Sequence, residues 1–249
     1  MAEVSCEIGG IALPDASTRL MAFDIDDCLM PVNQAATGDT RAGLKALSDA
    51  GARLIFASGK PCSYLSGLAR GLGLMDSSLV GENGAEIWLN STMPPQRLRV
   101  ELSDEERAAM RAIRERVDGV FGDRVFFQPN TVGVTAFPAK PGLTPQRVAD
   151  AVDFPVPPSI TLFIHVDSAD WAVTRLNKGA SLEQLARHLG IPMDRVAAVG
   201  DGENDVPMLE VAALALWLGA PGCGPANAVE CSNGIGEVLE RLRMFVETG

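Results

Sequence analysis

Short aliphatic runs alternate along the chain with leucine stripes at helical spacing, the pattern of a parallel sheet covered by helices. RLMAFDI (19–25) predicts a buried strand that ends in acid. A helix is expected at about 40–50, with Leu44 and Leu47 on one face and Gly51 as its stop. RLIFAS (53–58) predicts a second strand, running into a helix with Pro61 at its first position and Leu65, Leu68 and Leu72 inward. SSLVG (77–81) is a weaker third strand. The pattern resumes with a helix carrying Leu182, Leu185 and Leu189, a strand at RVAAVG (195–200), another at ALALWL (213–218) and a closing helix at IGEVLERLRMFV.

Residues from about 85 to 170 read differently. AEIWLN and RLRVEL are short runs joined by a Pro-Pro turn. Ser103 and Glu106 form a capping box on a helix with Met110, Ile113 and Val117 inward, expected to stop at Gly119. RVFFQPNTVGVTAF reads as two strands or a bent one, Thr144 and Pro145 start a helix through Val148 and Val152, and SITLFIHVD (159–167) is another strand. The expectation is an α/β protein: a Rossmann-like parallel-sheet core domain from 1–84 and 171–249, with an α+β cap domain inserted at 85–170.

Composition narrows the function. Of 249 residues 47% are hydrophobic and 21% charged, enough to build a core. A net charge of −11 argues against nucleic acid or an anionic membrane as partner, since both select a basic face. The longest apolar run, VAALALWLGA (211–220), is too short to span a bilayer, and the acid at Glu3 does not suit a signal peptide. Five scattered cysteines form neither a disulfide framework nor a zinc spacing. A cytoplasmic protein, monomer or homodimer, is expected.

In an open α/β sheet, ligands bind at the carboxyl ends of the strands. There the first strand leaves Asp24, Asp26 and Asp27, the second Ser58, Gly59 and Lys60, and the strand at 195–200 leaves Asp201, Glu203, Asn204 and Asp205. Several carboxylates in one crevice repel one another unless a cation neutralises them. Oxygen donors without a paired histidine or cysteine suit Mg²⁺, which keeps places for water and phosphate oxygens. Ser58 and the amides around Gly59, at a helix start, form an anion cradle. Together these features point to a phosphorylated substrate.

FDIDDCL, FASGKP, the lysine of LNKGASLEQL and GDGENDVPML, in that order, resemble the four motifs of the haloacid dehalogenase superfamily. GENGA (81–85) is similar to the loop by which its capped phosphatases, such as phosphoglycolate and Cof-like sugar phosphatases, leave the core. The resemblance implies Asp24 as nucleophile and Asp26 as general acid/base. It further implies Ser58, Gly59, Lys178 and Asn204 on the phosphoryl group. Mg²⁺ would lie at Asp24, Asp26, Asp201 and Asp205. The implied activity is Mg²⁺-dependent hydrolysis of a small phosphorylated metabolite, phosphoglycolate or a sugar phosphate, through an aspartyl-phosphate. The alternatives are a phosphomutase of the phosphomannomutase type and a non-catalytic phosphate-binding protein.

The first motif of the family usually reads Asp-x-Asp-Gly-Thr. Here Asp27 and Cys28 take the last two places, which puts the turn and the tuning of Asp26 in question. Lys60 stands where arginine is common. His165 and His188 read as structural or exposed, and Trp88, Trp171 and Trp217 as packing residues. Arg97, Arg99 and Arg124 are the candidates for gripping a substrate anion, although nine basic against twelve acidic residues between 86 and 170 leave the insert mildly acidic.

Overall fold

The computed structural model describes residues 7–8, 11–12 and 18–247. A two-stranded antiparallel pair, β1 (Glu7–Ile8) and β2 (Ile11–Ala12), precedes the main fold. The chain then alternates β3 (Leu20–Phe23), α1 (Gly38–Asp49), β4 (Arg53–Ala57), α2 (Cys62–Leu72) and β5 (Ser78–Gly81). Two strands follow, β6 (Glu86–Trp88) and β7 (Arg97–Leu98). Next come α3 (Asp104–Phe121), β8 (Val125–Phe127), β9 (Val134–Pro138), α4 (Pro145–Ala149), β10 (Ile160–Ile164) and β11 (Ala169–Val173). The chain closes with α5 (Lys178–Leu189), β12 (Val196–Gly200), α6 (Val206–Val211), β13 (Leu214–Trp217), β14 (Ala228–Glu230) and α7 (Ile235–Glu247).

The larger sheet has the order β14-β13-β12-β3-β4-β5-β6-β7, parallel from β14 to β5. Period-two alternation divides its residues between two cores. Met21 and Phe23 face α1, α2 and α7 through Leu44, Leu47, Leu65 and Val238, whereas Leu20 and Ala22 face α5 and α6 through Leu182, Leu185, Met208 and Leu209. From β3 the chain winds outward through β4 and β5, and it returns to build β12, β13 and β14 on the other side. The reversal between β3 and β12 opens the crevice where such sheets take ligands.

The smaller sheet, β10-β11-β9-β8, is antiparallel, and one face packs on α3 and α4. Val134, Ala136, Ala169 and Trp171 point into that core with Ile113, Val117 and Val148. Thr135 and Asp170 alternate with them and point the other way, toward the crevice. Among the described residues no helix is long and apolar enough to cross a membrane.

Several local expectations are corrected. Residues 86–98, expected within the insert, extend the larger sheet as antiparallel β6 and β7. Ile87 and Trp88 bury on opposite faces of that sheet, one in each core, which holds them there. Trp171, expected to open the second core segment, lies inside β11 of the smaller sheet. Helix α3 passes Gly119 and ends before Gly122 (φ 51°), because burial of Phe121 outweighs the ~1 kcal/mol cost of a helical glycine. Pro61 caps α2 in extended conformation rather than opening it.

Candidate active site

Three strand ends converge at the reversal. After β3, the Asp24 amide donates to the Val199 carbonyl (3.0 Å), and the fully buried Ile25 anchors the turn. Asp24 and Asp26, on either side of Ile25, both reach the crevice. Asp27 closes the turn at φ 56°, with its amide donating to the Met30 carbonyl (2.8 Å). After β4, the Ser58 amide donates to the Val80 carbonyl (2.9 Å), and the Ser58 hydroxyl accepts from the Lys60 amide (3.2 Å). After β12, one oxygen of Asp205 accepts from the amides of Asp201 and Gly202 (both 3.0 Å), folding the 201–205 loop around a buried carboxylate.

Lys178 enters from the first turn of α5. Asn177 caps that helix, its side chain accepting from the Ala180 amide, and Gly179 lies against the Pro207 carbonyl at the start of α6. The fully buried Lys178 ammonium donates to Asp24 (2.5 Å) and to the free oxygen of Asp205 (2.6 Å). Burial pulls this lysine down, but Asp205 and Asp24 hold it above its ordinary value, so it stays charged.

Asp24, Asp201 and Asp205 each offer a carboxylate oxygen, all within 4.8 Å of one another. Burial pushes Asp24 up to about 8 against the pull of Lys178, and burial with the Asp205 charge raises Asp201 to about 7. One ammonium does not neutralise three carboxylates, so this all-oxygen donor set fits a hard divalent cation. The Asp26 carboxylate is outside the cluster and pairs with Lys60, whose ammonium also lies 5.5 Å from the Tyr64 ring.

The expected residues Asp24, Asp26, Ser58, Gly59, Asp201 and Asn204 line one pocket of about 230 Å³. Lys178 and Asp205 are buried at its base. Asn204, in that lining, also donates its amide to the Asn83 side chain (3.0 Å). Arg97 lies over the Trp88 ring, Arg99 beside Glu101 and Arg124 over Phe121, and none of the three lines the pocket.

Sequence reading missed the residues that join the two sheets. Glu82 and Asn83 form a tight turn after β5, both at positive φ (51° and 56°). The buried Glu82 carboxylate accepts from the amides of Thr131 (2.6 Å), Val132 (2.8 Å) and Gly133 (2.9 Å) and from the Thr131 hydroxyl (2.9 Å). Asn83 donates to Asp170 (2.6 Å), which also accepts from the Thr135 hydroxyl (2.8 Å). Gln128 donates to the Gly59 carbonyl (2.9 Å). His165, read as structural or exposed, lines the pocket. GENGA was the available signal for Glu82 and Asn83, but nothing local in it names their partners.

A family model described as haloacid dehalogenase-like hydrolase matches residues 21–105 and 165–220, more than half of the chain. A protein of Methanopyrus kandleri named phosphoglycolate phosphatase is 29% identical over 238 residues, covering 89% of this chain and 90% of its own length. Bacillus subtilis YcsE, named 5-amino-6-(5-phospho-D-ribitylamino)uracil phosphatase, is 24% identical, covering 82% of this chain and 85% of its own. A haloacid dehalogenase-like hydrolase structure from Bacteroides thetaiotaomicron shares the fold, with TM-score 0.70, 16% identity, 90% of this chain and 99% of that one.

Proposed function

The chain belongs to the haloacid dehalogenase-like hydrolases, and we propose that it is a phosphomonoester hydrolase acting on a small phosphorylated metabolite. One observation carries the reading. Lys178 bridges Asp24 and Asp205 at the base of a pocket whose walls are Asp26, Ser58 and Asp201. The names of the curated relatives support the same class of reaction.

Asp24, Asp201 and the Asp26 backbone would hold Mg²⁺, with Asp205 bracing the loop. The ion would supply positive charge that draws the phosphoryl oxygens and Asp24 together. An Asp24 oxygen attacks phosphorus, the bond to the ester oxygen breaks, and the alcohol leaves with a proton from Asp26. Water then attacks the aspartyl-phosphate, returning its proton to Asp26, releasing phosphate and restoring Asp24. Lys178 offsets the phosphoryl charge, and Ser58 donates to an equatorial oxygen. The smaller sheet with α3 and α4 acts as the cap that covers the leaving group and excludes water.

Phosphate release from small esters is expected to require Mg²⁺ and to fall by ~10⁴-fold in Asp24→Asn, the scale on which a nucleophile loss is felt. A phosphoryl group that moves within the substrate, dependent on a bisphosphate, would establish the mutase instead. No turnover with Mg²⁺ or without it would leave a phosphate-binding protein.

A further inference from the structure

We propose that the pocket selects phosphate esters whose leaving group is an uncharged polyol and disfavours leaving groups that carry an anion; this rests on the phosphatase reading above. The core wall supplies the phosphoryl site. The opposite wall comes from the smaller sheet, with Gln128, Thr135 and Phe137 on one side and His165, Asp167 and Asp170 on the other. Two of these six are acids, and among the described residues the pocket lining holds no arginine.

The cations nearby are committed elsewhere. Lys60, the lysine of the lining, pairs with Asp26. Arg97, Arg114 and Arg124 lie over Trp88, Phe127 and Phe121, and Arg175 pairs with Glu106. Asp170 cannot easily swing away, because Thr135 and Asn83 hold its two oxygens. Asp167 stands exposed at the mouth. Burial holds His165 below its ordinary value, so its imidazole is neutral at pH 7. A carboxylate or second phosphate on the leaving group therefore approaches the charge of Asp170 and Asp167, and among the described residues the lining offers it one cation, Lys60, already paired with Asp26. Hydroxyl groups fit better: the amide, imidazole and carboxylates exchange hydrogen bonds with them, and Phe137 covers the carbon skeleton. The volume of about 230 Å³ suits a short chain or a single ring beside the phosphoryl group.

Three esters test this on the full-length protein with Mg²⁺: phosphoglycolate, its size-matched neutral counterpart 2-hydroxyethyl phosphate, and p-nitrophenyl phosphate. The expected kcat/KM for 2-hydroxyethyl phosphate exceeds that for phosphoglycolate by ~10-fold or more, one unfavourable charge contact's worth. Asp167→Asn, an exposed change outside the catalytic groups, is expected to narrow that gap by ~3-fold, the scale of an exposed charge pair. Phosphoglycolate turned over as well as or better than its counterpart, or a gap indifferent to Asp167→Asn, overturns the inference while p-nitrophenyl phosphate hydrolysis persists. Absence of release from all three overturns the phosphatase reading, and the inference with it.

Discussion

Asp27 sits at φ 56°, where the family's first motif carries glycine, and its side chain accepts from the Val32 amide (3.2 Å). A short acid that bonds its own loop is among the few side chains that tolerate this region, so the departure from the motif leaves the Asp24–Asp26 turn intact. Cys28 is buried, and desolvation with the nearby Asp24 charge drives its thiol well up, so it is no ready thiolate for redox chemistry. Asp170 provides a stability test. Burial raises its carboxyl from 3.8 to about 6, against the hydrogen bonds of Thr135 and Asn83. The folded state therefore binds this proton more tightly than the unfolded chain. Its contribution is most favourable below pH ~4 and is lost as pH rises to ~6, ~3 kcal/mol in all. Urea unfolding of metal-free protein at pH 4, 5, 6 and 7 is expected to show the wild type losing about that much relative to Asp170→Asn. Parallel curves would contradict it.

At the scale of elements, the site is made by strand ends and one helix start. Strands β3, β4 and β12 are each short and fully buried at their carboxyl ends, so the first polar residues beyond them emerge together at the crevice. These elements were readable from the chain because each carries its own apolar run and its own terminator. β6 and β7 read as part of the inserted module, yet they pair with the larger sheet, because short runs do not encode which edge they join. Helix α5 must lie close to α6 to deliver Lys178, and Gly179 makes that approach possible. A Cβ there would overlap the Pro207 carbonyl, a backbone atom that cannot move aside. Gly179→Ala is expected to destabilise by ~1–3 kcal/mol and to lower activity with it. Gly67 in α2 is exposed with open space around it, so Gly67→Ala is expected to stabilise by ~1 kcal/mol. Thermal unfolding of the pair checks both signs, and equal shifts would sink the argument from close approach.

For the whole molecule, the joint between the sheets is polar and concentrated at Glu82 and Asn83. One carboxylate receives three backbone amides and a hydroxyl from the 131–133 loop. Glu82→Gln would turn an amide N–H toward amides that need an acceptor, costing ~2 kcal/mol of docking. The expected readout is faster proteolysis between residues 128 and 134 and a larger radius of gyration in solution scattering. An unchanged cleavage rate would show that the joint is held by something else. Local sequence dictated the alternating core, the acids at the strand ends and the lysine that opens α5, because each depends on neighbours within a turn or a strand. Only the folded chain decided that Asn83 meets Asp170, that Lys60 meets Asp26, and that His165 and Asp167 line the same pocket as Asp24. Those contacts join residues dozens of positions apart through the register of two separate sheets, and no local pattern of hydrophobic and polar positions carries that register.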